Sequence, residues 1–123
     1  MDTTLRRPPD SFPRRLGLMT MKDETSAWFL ANFPNEDRVS VTLGLCEEVG
    51  EVARAVLKQH QGIRGSYTEW DEEIRKELGD VYLKLLHLAY YCQIDLDEAI
   101  QERWEVIRKR DWVTNPTGHG ISP

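Results

Sequence analysis

Two stretches of the chain share one arrangement of residues: a carboxylate, an aliphatic residue, a glycine, a second carboxylate and a valine. They are residues 48–52, with the sequence EVGEV, and residues 77–81, with the sequence ELGDV. Matched carboxylates are typical ligands of hard cations such as Mg²⁺ or Mn²⁺, which prefer oxygen atoms and often share substrate phosphates. The repeated pattern therefore predicts a hard-cation site.

Both copies of the pattern weaken the helix that carries them. Acids three residues apart share a helix face and repel each other by about 0.2–0.5 kcal/mol, and a glycine in a helix interior costs about 1 kcal/mol relative to alanine. Two copies together cost about 2–3 kcal/mol. We therefore expect a bound cation that neutralises the acids and a close neighbouring backbone that requires the glycines. The alternative is that each acid pair belongs to an ordinary solvated helix face.

Helical periodicity runs through most of the chain, whereas strand signals are essentially absent. The pattern predicts helices over about 22–33, 37–60, 66–92 and 95–110. Candidate capping boxes begin the third helix, as either Ser66 with Glu69 or Thr68 with Asp71, and the fourth helix, as Asp95 with Glu98. We predict an all-α protein in which the two long helices carry the repeated pattern.

The acid pairs occupy equivalent positions beside the apolar stripes of the two long helices. Glu48 lies about 60° from the first stripe and Glu77 about 80° from the second, with the partner acids further round. Antiparallel packing through the stripes would place both pairs along one groove at the edge of the core. The stripes are Val41, Leu45, Val49, Val52, Ala53 and Val56 in one helix and Ile74, Leu78, Val81, Leu85 and Leu88 in the other.

Composition narrows the possible partners. The net charge of −5 argues against nucleic acid, which is bound mainly through clustered Lys and Arg. No apolar run approaches the about 18 residues that a membrane span needs. Cys46 and Cys92 lack zinc-type spacing and nothing resembles a secretory leader, so we expect reduced thiols in a cytoplasmic protein. Di-iron bundles need Glu-x-x-His pairs, which this chain lacks, and His87 is expected at the rim of the bundle rather than as a ligand.

The chain is short enough to form one domain and long enough to bury a substantial core. Residues 1–19 contain arginines and prolines without an apolar period and are predicted to form a disordered basic arm. Residues 20–112 form the predicted folded domain, and residues 113–123 are expected to be a flexible tail.

The acidic pattern also resembles a family signature. Glu47-Glu48-x-x-Glu51, followed after 25 residues by Glu77-x-x-Asp80, is similar to the motif of the MazG-like, all-α nucleotide pyrophosphohydrolases over about residues 22–112. The resemblance implies a four-helix MazG-like bundle that assembles as a homodimer or a dimer of dimers. It also implies Mg²⁺-assisted hydrolysis of a nucleoside triphosphate, ribo or deoxyribo, to the monophosphate and pyrophosphate, as in the clearance of unwanted or excess nucleotides.

The resemblance assigns roles to the acids by position. It implies that Glu48, Glu51, Glu77 and Asp80 ligate the metal. A metal-bound water has a lowered pKa and attacks phosphorus, and Glu47 or Glu48 would take its proton. The other interpretation of Glu47 is that it only faces solvent.

Several residues are candidates for contact with the nucleotide. Lys84 follows Asp80 by one helical turn and contacts either a phosphate or Asp80 itself. Arg103, Lys109 and Arg110 are further phosphate candidates, although cations near a helix end also balance the helix dipole. Trp28, in an aromatic first helix, stacks on the base or belongs to the core or a dimer interface.

Two other functions fit the same sequence. One is phosphoribosyl-ATP pyrophosphohydrolase, which shares the helical design, and the other is a helical dimerisation module without turnover. The preferred base does not follow from the sequence, because Arg54 and Lys58 stand where family members place aromatic residues beside the second helix's acids.

Overall fold

Four helices form in the described part of the chain, residues 20–118, of the computed structural model. They are α1 (Met21–Asn32), α2 (Arg38–Gln61), α3 (Tyr67–Cys92) and α4 (Leu96–Ile107). No strand occurs between residues 20 and 118, so the all-α prediction is confirmed there. The predicted arm, residues 1–19, and residues 119–123 of the predicted tail lie outside the described residues.

Local side-chain chemistry sets the helix ends. The Thr20 side chain accepts a hydrogen bond from the Asp23 amide, and the Asp23 carboxylate accepts one from the Thr20 amide. Asp37 begins α2 by accepting from the Ser40 amide at 2.7 Å. Gly62 ends α2 with φ 68°, a left-handed conformation that glycine adopts without steric cost. Each cap satisfies backbone groups that the helix itself leaves unpaired.

Helix α3 also begins with a capping box. It is the central helix of the first compact unit, which ends at Cys92. Ser66 and Glu69 form the capping box, with their reciprocal hydrogen bonds at 2.9 and 3.1 Å. Both α1 and α2 pack on α3. Tyr91 near the end of α3 donates a hydrogen bond to the Phe33 carbonyl just after α1.

Helices α2 and α3 run antiparallel, as expected from the short loop between them. Gln59 near the end of α2 donates to the Tyr67 carbonyl and to the Asp71 carboxylate at the start of α3, at 3.0 and 2.7 Å. Further along, Gly44 of α2 lies beside Lys84 of α3. This register brings the two repeated patterns, near the middle of each helix, opposite each other.

The buried faces of α2 and α3 differ from the predicted stripes. Val41 and Ala55 are the buried residues of α2, whereas Val49 and Val56 are 50% and 47% exposed. On α3, Glu77 is buried while Leu78 is 54% exposed. The helices are therefore rotated relative to the prediction, so that Glu77 of α3 faces inward and part of each predicted stripe remains on the protomer surface.

The expected explanation of the repeated glycines is wrong within the described residues. A Cβ added to Gly50 or Gly79 would meet no atom of residues 20–118 within 4 Å apart from its own helix's backbone and adjacent residues. No neighbouring backbone approaches either glycine closely, so neither is required by packing inside the protomer.

The second compact unit begins at Gln93 and contains α4. Asp95 caps this helix by accepting from the Glu98 amide. After α4, Asp111 accepts hydrogen bonds from the amides of Val113 and Thr114, so residues 113–118 of the predicted tail form turns. Within residues 20–118, no helix combines the length and the apolar character that crossing a membrane requires.

Candidate metal centre and adjoining cavity

Three carboxylates meet where α2 faces α3. Glu48 comes from α2, and Glu77 and Asp80 come from one face of α3, where residues three apart are neighbours. Each offers an oxygen atom within 4.8 Å of the others. We call these three residues the acidic cluster. The structure thus brings together three of the four residues predicted as metal ligands.

Glu77 is the most deeply placed member of the acidic cluster, with an exposed fraction of 6%. Its burial raises the pKa of Glu77, and a hydrogen bond to Glu73 and the charge of Asp80 raise it further. The nearest cation is Lys76, whose Nζ lies 3.8 Å from Glu77 Oε1. Its charge lowers the pKa of Glu77 but offsets only part of the rise. A buried carboxylate is costly unless an opposite charge compensates it, so Glu77 favours a cation at this position.

The donor set fits a hard divalent cation. All three ligating groups offer oxygen, and cations such as Mg²⁺ usually take one or a few carboxylates and fill their remaining positions with waters and substrate phosphates. No sulfur or imidazole atom belongs to the acidic cluster. The chemistry of these donors therefore suits Mg²⁺ or Mn²⁺ better than a softer metal.

Glu47 and Glu51 are not part of the acidic cluster. Both are exposed residues of α2, and neither belongs to the group of acids within 4.8 Å of one another. Their predicted roles, as proton acceptor and as fourth metal ligand, stay predictions.

Lys84 lies next to the acidic cluster and crosses from α3 toward α2. A Cβ added to Gly44 would lie 3.2 Å from Lys84 Nζ and 3.3 Å from its Cε. Within residues 20–118, Lys84 forms no ion pair with Asp80, the alternative considered from the sequence. The absence of a side chain at Gly44 therefore makes room for the lysine, and its ammonium is not committed to the neighbouring acid.

A cavity of about 590 Å³ adjoins the acidic cluster within the first unit. Helix α1 supplies much of its wall, and α3 supplies most of the rest. Both Glu48 and Asp80 line it, so the cavity and the acidic cluster are continuous. Its walls are mainly apolar and aromatic, as in many small-molecule sites, and are formed by Met21, Glu24, Thr25, Trp28, Phe29, Phe33, Glu48, Asp80, Leu83, Lys84 and His87.

The sequence predicts His87 at the rim of the bundle, and this prediction is wrong. The residue is buried in the wall of the cavity. Its exposed fraction is 3%, and its ring stacks on Phe29 with centroids 4.0 Å apart and an interplanar angle of 18°. Burial, with a smaller contribution from the Lys84 charge, lowers the pKa of His87 to about 4. The imidazole is therefore neutral near pH 7. Spacing within α3 could not predict this burial, because Phe29, which stacks on the imidazole, comes from α1.

The other predicted nucleotide contacts divide between the two units. Trp28 lines the cavity, with its ring edge-on to Phe29 and Phe33 at centroid distances of 5.7 and 5.6 Å. Arg103 lies on α4, and Lys109 and Arg110 follow that helix, so all three belong to the second unit. Their contact with phosphate stays a prediction.

Comparison with known families gives one match. The model of the MazG nucleotide pyrophosphohydrolase domain matches residues 37–113, which is more than half of the chain and includes the acidic cluster. Helix α1 precedes the matched range. No curated protein and no solved structure matches the chain significantly.

Proposed function

Since this chain belongs to the MazG nucleotide pyrophosphohydrolase domain family, we propose that it hydrolyses a nucleoside triphosphate to the monophosphate and pyrophosphate with the help of Mg²⁺. The substrate is a ribo- or deoxyribonucleotide, and the role is the removal of unwanted or excess nucleotides in the cytoplasm. The observation that carries the proposal is the continuity of the acidic cluster with a cavity of nucleoside size.

The three acids of the cluster would hold the cation, with Glu51 as a further ligand. A bound Mg²⁺ ion, for which Mn²⁺ can substitute, would neutralise charge on the triphosphate and lower the pKa of a water molecule. Glu47 or Glu48 accepts the proton as the water oxygen bonds to phosphorus. The bond between that phosphorus and the bridging oxygen breaks, and pyrophosphate and the nucleoside monophosphate separate.

Cationic and aromatic residues would position the rest of the nucleotide. Lys84 lines the cavity that adjoins the acidic cluster and forms no ion pair with a carboxylate of residues 20–118, and its ammonium contacts a phosphate oxygen. Trp28 contacts the nucleoside in the cavity. We propose Arg103, Lys109 and Arg110, which belong to the second unit, as further phosphate contacts.

We also propose that the protein works as a homodimer or homotetramer. Apolar side chains remain exposed on the protomer, among them Val39 and Leu43 of α2, at 70% and 66%, and Leu78 of α3. The open space beside Gly50 leaves room for a helix of a second protomer to pack closely against α2. Sedimentation velocity at micromolar concentration should show an oligomer that Leu43→Glu dissociates, whereas a wild-type monomer would contradict the proposal.

Pyrophosphate release from a nucleotide panel tests the activity. The panel contains the ribo- and deoxyribonucleoside triphosphates and phosphoribosyl-ATP, each with Mg²⁺ or with EDTA. We expect turnover of at least one triphosphate, and preference for phosphoribosyl-ATP would redirect the assignment to histidine synthesis. No turnover together with no Mg²⁺-induced rise in melting temperature would indicate a non-catalytic module.

Matched variants connect the activity to the acids. Asp80→Asn and Glu51→Gln should lose most of the activity while the helical circular dichroism spectrum stays unchanged. Glu72→Gln, an exposed acid of α3 outside the acidic cluster, serves as the control and should retain it. Full turnover by both Asp80→Asn and Glu51→Gln would refute the proposed site.

A further inference from the structure

The cavity wall outside the acidic cluster offers a ligand mainly apolar surface. Met21, Phe33 and Leu83 line the cavity and are 60%, 42% and 38% exposed. Phe29 and His87 also line it but are 6% and 3% exposed, and their rings stack on each other. The accessible apolar surface of the wall therefore comes chiefly from the first three side chains.

The neutral polar groups of the wall are buried or already hydrogen-bonded. Trp28 Nε1 and both ring nitrogens of His87 are buried, and aromatic contacts hold the two rings in place. The Thr25 hydroxyl donates to two carbonyl oxygens of its own helix, at 2.8 and 3.1 Å. None of these three side chains is therefore placed to donate a hydrogen bond to a nucleobase.

The charged residues of the wall leave little for the edge of a base. Glu48 and Asp80 belong to the acidic cluster, and Lys84 is the proposed phosphate contact. Glu24 of α1 also lines the cavity, but a carboxylate accepts hydrogen bonds and does not donate them. Among the lining residues, base carbonyl groups therefore find no side-chain donor apart from Lys84.

Such a wall favours carbon over polar atoms. A polar group that leaves water without a new hydrogen-bond partner loses free energy, whereas an apolar group gains free energy when its surface is buried. Two nucleotides with the same hydrogen-bonding groups, of which one carries an additional methyl group on the base, would pay the same polar cost. The methylated nucleotide would gain the additional burial.

We propose that the cavity selects the nucleobase by apolar contact, so that the protein prefers a nucleotide whose base carries an apolar substituent such as a methyl group. The inference rests on the proposed function, because a triphosphate held at the acidic cluster directs its base into the adjoining cavity. It concerns residues that the family match does not include, since that match begins at residue 37 and Met21 and Phe33 precede it.

Steady-state kinetics on matched substrate pairs test the inference. The pairs are dTTP with dUTP, 5-methyl-dCTP with dCTP, and N6-methyl-dATP with dATP, which differ in each case by one methyl group on the base. We expect kcat/KM to be higher for the methylated member of at least one pair by roughly 4- to 10-fold, as for one buried methyl group. A ratio of one or below in every pair would overturn the inference.

Variants of the wall locate the preference. Leu83→Asn and Met21→Gln roughly keep the side-chain size but make it polar, and at least one of them should bring the kcat/KM ratio of the preferred pair close to one. Leu85→Asn is the matched control, because Leu85 is a leucine of α3 with a similar exposure of 36% that does not line the cavity. An unchanged ratio in both cavity variants, or an equal loss in the control, would contradict the inference.

A binding measurement separates this inference from the proposed activity. The monophosphates of the same three pairs are titrated into the full chain with Mg²⁺ and followed by isothermal titration calorimetry. At least one methylated monophosphate should bind roughly 4-fold more tightly than its partner. Equal affinities in all three pairs would overturn the inference, whereas absent turnover together with tighter binding of a methylated monophosphate would overturn only the proposed activity.

Discussion

Acidification from pH 7 to pH 5 should destabilise the protein through His87, and a His87→Phe variant isolates this effect. The pKa of His87 is about 4 in the folded chain, against 6.5 for an unperturbed histidine. The unfolded chain therefore takes up a proton near pH 6.5 while the folded chain does not. A depressed histidine pKa means that this contribution to stability is present above pH 6.5 and is lost as the pH falls toward 4.

The expected size follows from these two values. Linkage between pKa values of 6.5 and about 4 gives a loss of about 2 kcal/mol in the free energy of unfolding between pH 7 and pH 5. Phenylalanine cannot titrate, so His87→Phe lacks this loss whatever its own stability at pH 7. All other titrating groups are shared and cancel in the comparison.

Urea unfolding in EDTA, followed by tryptophan fluorescence at pH 7 and pH 5, measures the effect. The free energy of unfolding of the wild type should fall by about 2 kcal/mol more than that of His87→Phe. The exposed histidine variant His60→Phe should follow the wild type. If His87→Phe and the wild type lose the same stability over this pH range, His87 is not buried in the way described.

Three further substitutions test other parts of the structure. Glu77→Gln should raise the melting temperature in EDTA and remove most of the Mg²⁺-induced rise in differential scanning fluorimetry, because carboxylates with oxygen atoms within 4.8 Å of one another repel by about 1–3 kcal/mol at the dielectric constants of a partly buried site; a lower melting temperature in EDTA would contradict this. Gly44→Ala places a methyl group 3.2 Å from Lys84 Nζ, so KM for the triphosphate should rise several-fold with little change in unfolding by urea, and an unchanged KM would argue against the phosphate contact. Gly62→Ala should cost about 1 kcal/mol because φ there is 68°, whereas Gly79→Ala, within helix α3 and with open space at the Cβ position, should stabilise the protein by about 1 kcal/mol; urea unfolding compares the two, and equal effects would refute the difference in backbone conformation.

Helix positions could be predicted from the sequence because their ends depend on local chemistry. Asp37 and Asp95 accept hydrogen bonds from amides three residues later, and Ser66 forms the expected capping box with Glu69. These interactions involve neighbours in the chain, so spacing and residue type suffice to find them. The convergence of Glu77 and Asp80 follows equally from helical geometry.

The rotation of the long helices could not be predicted in the same way. The apolar stripes placed Glu77 beside the core and Leu78 within it, but the structure buries Glu77 and exposes Leu78. Which face of α3 is buried depends on how both α1 and α2 pack on it, and no single helix contains that information. Exposed members of the stripes then become candidates for contact with another protomer.

The role of the glycines and the wall of the cavity likewise could not be predicted from the sequence. The repeated pattern drew attention to Gly50 and Gly79, yet it is Gly44, outside the pattern, whose missing side chain accommodates Lys84. The buried position of His87 depends on Phe29, which is 58 residues earlier in the sequence. Contacts of this kind arise only when the helices assemble, so residue spacing does not reveal them.

The products formed from a nucleoside triphosphate identify the bond that the protein breaks. We propose following the reaction of the preferred triphosphate and Mg²⁺ with the full chain by ³¹P nuclear magnetic resonance. Pyrophosphate and the nucleoside monophosphate should appear in equal amounts, and both should be absent with EDTA or with Asp80→Asn. Formation of a nucleoside diphosphate and inorganic phosphate, or no reaction by the folded protein with any triphosphate, would contradict the account.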